Sequence, residues 1–408
     1  MHPEPLNAFF PRAGLPNVFA KLAGGGDATI VYLGGSITRA PGYRVMTAEW
    51  LQEQYPQAKI EAINAGVSGT GSDLGAARTA RDVLRHRPDL VFVEFVVNDR
   101  GAPESKAWIE GIVRQVRNAD PMTDLLFVYT LAEQDVAGFR KGRYQPGALL
   151  QDEVADEYGI PSIHLGVELS RLVAEGTVVF TVWEGEKAPA GAVVFTRDSV
   201  HPTVPDGHRL YADEIVRRLK TLRGRAESGM PSPHLLPAET LVPGNPWEYA
   251  AMKAPAELAA FAGEWTFETP ERPGPAQEFS WLFPGLWRSG KPGDAFTVEF
   301  VGTHIGLFDI GGPYSGRLKV SVDGGEPIVL DRFTLHNDHD RNEYAFLPAL
   351  PNGRHVVRFE IDAARTDKAA VFEAAGKHES LGHFRQHPDR YGQTLVQLGM
   401  LLLVQPPL

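Results

Sequence analysis

Ser36 lies in the run Val31-Tyr32-Leu33-Gly34-Gly35-Ser36-Ile37-Thr38, where an apolar strand leads straight into a glycine-flanked serine. About 160 residues later comes Asp198-Ser199-Val200-His201-Pro202. A serine hydroxyl is a poor nucleophile until a base takes its proton, and histidine is the usual base near neutral pH. The histidine in turn needs a carboxylate to fix its tautomer and stabilise the imidazolium. Asp198 and His201 stand three residues apart on a loop before the last helix of the domain, so one turn can bring carboxylate and imidazole together. The chemistry on offer is that of a serine hydrolase. Two further segments support it. Asn64-Ala65-Gly66-Val67-Ser68-Gly69-Thr70 follows the second strand, and Val93-Glu94-Phe95-Val96-Val97-Asn98-Asp99 ends the third, so both open onto the rim that carries Ser36. A glycine there admits a backbone N–H and an asparagine offers a side-chain donor. Acyl transfer needs such donors where the oxyanion forms, each typically worth about 10²–10³ in rate.

The elements that must position these residues follow from the hydrophobic pattern. From Thr29 to about Leu222, short apolar runs (Thr29–Leu33, Lys59–Ile63, Leu90–Val97, Leu125–Leu131 and Ile160–Leu165) alternate with segments of helical spacing. Leu74, Ala77, Ala80 and Leu84 mark one such segment; Tyr211, Ile215, Leu219 and Leu222 mark the last and clearest helix. This alternation predicts a parallel sheet covered on both faces, with ligands bound beyond the carboxyl ends of the strands. Residues 177–196 interrupt it: two apolar runs around a polar, glycine-bearing stretch read as a hairpin, either a wall of the active site or an ordinary edge hairpin.

Prolines accumulate from about Gly224 to Pro246, a composition that favours an extended linker. Beyond it the period changes to two, as in Phe296, Val298, Phe300; Leu318, Val320, Val322; and Val357, Phe359, Ile361. Asp323-Gly324 and Asn352-Gly353 supply residues for tight hairpin turns. The expected organisation is a hydrolase-like domain over 1–223, a linker over 224–257 and a β-sandwich over 258–408.

Composition excludes several other classes. With 40 basic against 51 acidic residues the net charge is −11, which argues against a nucleic-acid partner. The absence of cysteine removes disulfides, thiolate metal sites and cysteine nucleophiles. No apolar run has the length of a membrane span, so no membrane partner is expected. Met1-His2-Pro3-Glu4-Pro5 lacks the basic and apolar regions of a signal peptide, and a cytoplasmic location is the default expectation, although a chain trimmed of its leader would look the same.

Four blocks in order make a specific resemblance. The chain resembles the SGNH (GDSL-type) hydrolases through Gly34-Gly35-Ser36-Ile37-Thr38, Gly69, Asn98 in Val97-Asn98-Asp99, and Asp198-Ser199-Val200-His201-Pro202, across roughly residues 28–223. The resemblance implies Ser36 as nucleophile, His201 as base and Asp198 as its orienting partner. It implies an oxyanion hole from the Ser36 and Gly69 backbone N–H groups and the Asn98 side chain, with no metal or organic cofactor. One departure stands out: the family's Gly-Asp-Ser opening is here Gly-Gly-Ser, a form similar to the branch that includes carbohydrate esterases. The downstream segment Phe296–Leu330 is similar to sandwich modules that accompany some of those enzymes. The expected fold is therefore α/β, a flavodoxin-like parallel sheet with helices on both faces, followed by a C-terminal, jelly-roll-like β-sandwich.

Arg39 and Tyr43 follow the nucleophile closely and, with Trp183, are candidates for substrate contact. Trp281 and Trp287 fit either sugar stacking or burial in the sandwich. His86 and His208 read as surface or helix-packing residues, His336, His339 and Asp340 as a solvated loop, and Gly24-Gly25-Gly26 as a turn. The leading expectation is an esterase that removes a small acyl group, acetyl above all, from a hydroxylated substrate such as a carbohydrate. The alternatives are a thioesterase or lysophospholipase acting on longer chains, and a carbohydrate-binding protein with a vestigial hydrolase domain. Three roles stay open for the sandwich: sugar binding, homo-oligomerisation, or covering a neighbour's active-site rim.

Overall fold

Each apolar run between Thr29 and Leu165 forms a strand. The computed structural model of the protein describes residues 6–183, 185–226 and 230–408; Met1–Pro5, read above for targeting, and parts of the 177–196 and linker segments (184 and 227–229) lie outside the described residues. The parallel strands are β1 (Ala28–Gly34), β2 (Ile60–Gly66), β3 (Leu90–Glu94), β4 (Asp124–Tyr129) and β5 (Ser162–His164). They lie in the order β2-β1-β3-β4-β5, with the two-residue strand Phe9–Phe10 antiparallel to β5 at the edge. Helices Pro16–Ala23, Tyr43–Gln54 and Asp206–Ala226 pack together, and Ser72–Asp82, Ser105–Ala119 and Pro146–Glu157 form a second group. The flavodoxin-like sheet is thus observed, with the antiparallel edge strand as an addition. Strand order reverses at β1, between β2 and β3, the position where sheets of this kind bind ligands. Ser36 and Asn98 follow the ends of β1 and β3, which are paired through Gly34 and Glu94.

The expected hairpin over 177–196 is not one. Its strands, β6 (Val178–Thr181) and β7 (Val193–Thr196), pair in parallel, Val178 beside Val193 and Thr181 beside Thr196, so the connecting segment carries the chain back before it pairs again. Two apolar runs around a polar stretch do not encode strand direction. Val178, Phe180 and Phe195 are buried in the α/β core, with Phe195 against Tyr211. On the final helix Tyr211, Ile215, Leu219 and Leu222 all face the core, as their spacing predicted; on Ser72–Asp82, by contrast, Ala80 is exposed.

Nor is the proline-rich segment an extended linker from residue 230 onward. The chain divides at Glu248/Tyr249 into two compact units, and the stretch before the division is docked on the first. Ser232 N–H donates to Asn17 (2.9 Å), the His234 ring meets Asp124 (2.7 Å), and the buried Glu110 carboxylate accepts from Val242 N–H (3.0 Å) and the Asn245 amide (2.8 Å). Proline removes the segment's own backbone donors, and side chains of the first unit satisfy what remains.

The second unit is a sandwich of two antiparallel sheets. One orders Ala259–Ala262, Ala295–Gly302, Gly353–Ile361, Arg317–Val322 and Ile328–Asp331; the other orders Thr266–Glu268, Leu286–Ser289, Val396–Val404, His304–Gly311 and Arg341–Phe346. Phe296, Val298, Leu318, Val357 and Phe359 from the first sheet pack with Ile305, Leu307, Leu401 and Leu403 from the second. Asp323 and Gly324 adopt the positive φ expected of their turn (53° and 72°). Asn352-Gly353 does not make a hairpin, because Arg341–Phe346 and Gly353–Ile361 belong to different sheets and the chain crosses between them there. Helices Lys368–Ala374, His378–Gln386 and Pro388–Tyr391, which the period-two reading missed, build a small core of Phe333, Phe372, Leu381 and Tyr391.

Candidate active site

The turn at Ser36 is set by two glycines. A Cβ at Gly34 would lie 2.3 Å from Thr38 Oγ1 and 2.7 Å from the Glu94 carbonyl, so only hydrogen fits where β1 ends beside β3. The chain then makes a single helical turn, Ser36–Arg39, that leaves Ser36 half-buried at the rim.

The partners of Ser36 arrive on a loop tied at its base to β7. Thr196 Oγ1 accepts from the N–H groups of Asp198 (3.2 Å) and Ser199 (2.8 Å), and Thr203 N–H returns to the Phe195 carbonyl (2.7 Å). Ser199 takes a left-handed conformation (φ 68°), sterically costly for a side chain with a Cβ, and its carbonyl is held by Glu133 N–H (2.9 Å). Within this loop Asp198 Oδ1 accepts from the Val200 and His201 N–H groups (3.0 and 2.8 Å), while Oδ2 lies 2.6 Å from His201 Nδ1. Partial burial works against the Asp198 charge, but the bonds from His201 and Val200 outweigh it and hold the carboxyl below its usual range. An ionised carboxylate only accepts, so Nδ1 carries the proton and the Nε2 of a neutral ring is free to accept. Ser36 Oγ lies 2.7 Å from that Nε2. Serine, imidazole and carboxylate form one continuous chain, open to solvent, with the His201 and Asp198 side chains 49% and 53% exposed.

The loops that carry Gly69 and Asn98, the residues expected to donate to an oxyanion, meet the Ser36 turn. Gly69, at φ 73°, occupies a left-handed position that favours glycine, on the loop after β2. That loop is held against the Ser36 turn by Val67 N–H to the Gly34 carbonyl (3.0 Å). Asp99 joins it to the β3 end, because its carboxylate takes both the N–H and the hydroxyl of Ser72 at 2.8 Å. Asn98 lies directly against Gly35, where a Cβ would sit 2.2 Å from Asn98 Oδ1. A side chain at position 35 and Asn98 in its present place exclude one another. Gly35→Ala therefore has to displace Asn98 from this place. Steady-state kinetics on a small ester are expected to give kcat about 10–100-fold lower with KM little changed. Gly35→Ala combined with Asn98→Ala should then be no slower than Asn98→Ala alone.

The substrate-contact candidates separate. Arg39 is partly exposed one turn after Ser36, and Trp183 is 51% exposed on the chain that leads from β6. Tyr43 is fully buried, its hydroxyl 2.7 Å from Thr38 Oγ1, so it braces the turn from inside instead of meeting substrate. His208 is a packing residue, as expected: its ring fills the space that glycine leaves at position 42, accepts from Tyr43 N–H (3.2 Å), and burial lowers its pKa to about 4. His86 is a partly exposed residue beside Arg85. In the sandwich, Trp287 stacks on Phe261 (centroids 4.1 Å apart), whereas Trp281 is 45% exposed. Three buried residues went unread in the sequence: Glu94, Asp99 and Arg78, the last bonded to the Ala65 and Gly34 carbonyls (2.5 and 3.0 Å).

No curated protein matches the chain. Among solved structures, a two-domain esterase active on acetylated mannans, co-crystallised with mannopentaose, aligns at 22% identity and a TM-score of 0.72 over 98% of this chain and 97% of that one. The same esterase without that ligand aligns at 21% identity, 97% coverage of both chains and the same TM-score. At such identities the likeness shows the two-domain fold. Residues 32–210, which hold Ser36, Gly69, Asn98, Asp198 and His201, match the family model of the GDSL-like lipase/acylhydrolases. Over residues 32–210 the first unit of the chain is thus similar to the GDSL-like lipase/acylhydrolases.

Proposed function

We propose that the chain is a serine esterase that removes a small acyl group, acetyl above all, from a hydroxylated substrate such as a carbohydrate, through an acyl-enzyme on Ser36. The observation that carries this reading is the continuous Ser36–His201–Asp198 chain at 2.7 and 2.6 Å. His201 Nε2 takes the Ser36 proton as Oγ bonds to the ester carbonyl carbon. The oxyanion so formed meets the Ser36 and Gly69 N–H groups and the Asn98 amide. As the bond to the leaving oxygen breaks, His201 returns the proton to the departing alcohol. Water then gives a proton to His201 and bonds to the acyl carbon, and Ser36 leaves with the proton restored.

The carbohydrate assignment draws support from the family match, from the fold shared with an esterase active on acetylated mannans, and from an exposed triad that a bulky polyhydroxy substrate can reach. Arg39 and Trp183 are assigned to substrate contact. The reading is tested by acetate release from acetylated manno-oligosaccharides and by comparing p-nitrophenyl acetate with the octanoate. Acetyl is expected to be preferred by at least about tenfold in kcat/KM. Preference for octanoate would move the activity to a thioesterase or lysophospholipase.

A further inference from the structure

We propose that Glu94 is a positioning residue for the reaction, the buried anchor that holds the nucleophile turn in the conformation presenting Ser36 to His201; the proposal rests on the esterase reading above. Glu94 ends β3, is fully buried and touches no reacting atom. Its Oε2 accepts from Thr38 Oγ1 (2.8 Å) and its Oε1 from Thr130 Oγ1 (2.7 Å). The backbone amides of Gly35 and Thr38 also favour the charge on the same carboxylate. Three of these four groups belong to the turn around Ser36.

The need for such an anchor follows from the sequence of the turn. Gly34 and Gly35 are glycine because Thr38 and Asn98 leave no room for a Cβ. Two successive glycines form the least restrained dipeptide available, just before the nucleophile. Neither has a side chain to brace itself, so the restraint has to come from outside. The peptide group joining them is held at both ends. Its carbonyl, that of Gly34, accepts from the buried Arg78 guanidinium (3.0 Å), and its N–H, that of Gly35, favours the Glu94 charge. A buried cation and a buried anion thus flank one peptide group, with Ser36 next in the chain.

A structural part alone would not call for a charge here. Burial pushes the Glu94 carboxyl up to about 7 against the groups that favour its charge, and Tyr43, Tyr211 and the buried Asp99 all feel that charge. A carboxyl with a folded-state pKa raised above its unfolded value loses stability as pH climbs from the unfolded value through the folded one. At pH 8 the ionised group is therefore a thermodynamic burden, retained for what it positions.

Glu94→Gln keeps the shape but replaces one accepting oxygen with a donor that faces other donors. At pH 8 kcat on p-nitrophenyl acetate is expected to fall about 10–100-fold with KM within about twofold. The melting temperature should be unchanged or higher. The rate of fluorophosphonate labelling at Ser36 should fall by the same factor as kcat. Thr38→Val, which removes one turn hydroxyl and no charge, should give a smaller loss of the same kind, and it decides the matter if Glu94→Gln does not fold. Wild-type kcat and labelling rate in Glu94→Gln, or wild-type kcat in Thr38→Val when Glu94→Gln is unfolded, would overturn the proposal. So would a rate loss matched by a lower melting temperature while Thr38→Val is unaffected. A wild-type protein that is not labelled at Ser36 would instead overturn the esterase reading itself.

Discussion

Ser36→Ala is expected to lower kcat on p-nitrophenyl acetate by at least about 10⁴-fold while leaving the melting temperature close to that of the wild type. The two halves of this result have separate causes. Without Oγ there is no atom to carry the acyl group, and the oxyanion donors alone leave only the residual rate of positioned hydrolysis. Stability is little affected because the half-buried Ser36 side chain loses one hydrogen bond, to a ring that is itself half exposed and can turn to water, a change worth about 1 kcal/mol or less. A fall in both activity and melting temperature would mean that Ser36 is a structural serine.

Asp198→Asn has the second largest expected effect, and its sign is dictated by the loop. Asp198 Oδ1 accepts from two backbone N–H groups, so the asparagine carbonyl must take that place and its amide must face His201 Nδ1. The amide then donates to Nδ1, the ring proton moves to Nε2, and Nε2 faces Ser36 as a donor where an acceptor is needed. The loop keeps its backbone bonds and the enzyme keeps its shape, but the base carries the wrong tautomer. A loss of about 10³–10⁴ in kcat with KM nearly unchanged is expected in steady-state kinetics. A loss of less than about tenfold would mean that the carboxylate does not orient His201.

The candidate site residues stand out in the sequence because each sits in a short block at a strand end, where type and order are visible without coordinates. The parallel sheet was legible because its buried central strands, such as Leu90–Glu94 and Asp124–Tyr129, read as near-continuous apolar runs. What escaped depends on direction and burial, which sequence patterns encode poorly. The β6–β7 pair has the composition of a hairpin but the opposite strand direction. The prolines of 230–248 suggested extension, while docking was decided by Asn17, Glu110 and Asp124, all far away in the chain. Asn352-Gly353 carries a hairpin signature at a point where the chain changes sheets.

Tyr43 shows a related failure, since nearness to Ser36 in sequence suggested substrate contact while helix geometry turns it inward. Glu94 did leave a signal. It is a lone carboxylate inside Val91-Phe92-Val93-Glu94-Phe95, and a charge within a strand buried on both faces must have partners waiting for it. The same holds for Arg78 among the alanines and threonine of its helix. Both residues lie behind the turn that the glycines shape.

The central claim is that Ser36 is a nucleophile activated by His201, and the most direct measurement is covalent labelling by a fluorophosphonate, read by intact mass and peptide mapping. The account predicts a single adduct on wild-type protein, located at Ser36, absent from Ser36→Ala and formed far more slowly in Asp198→Asn. No adduct on the folded wild-type protein, or an adduct on another residue that persists in Ser36→Ala, would contradict it.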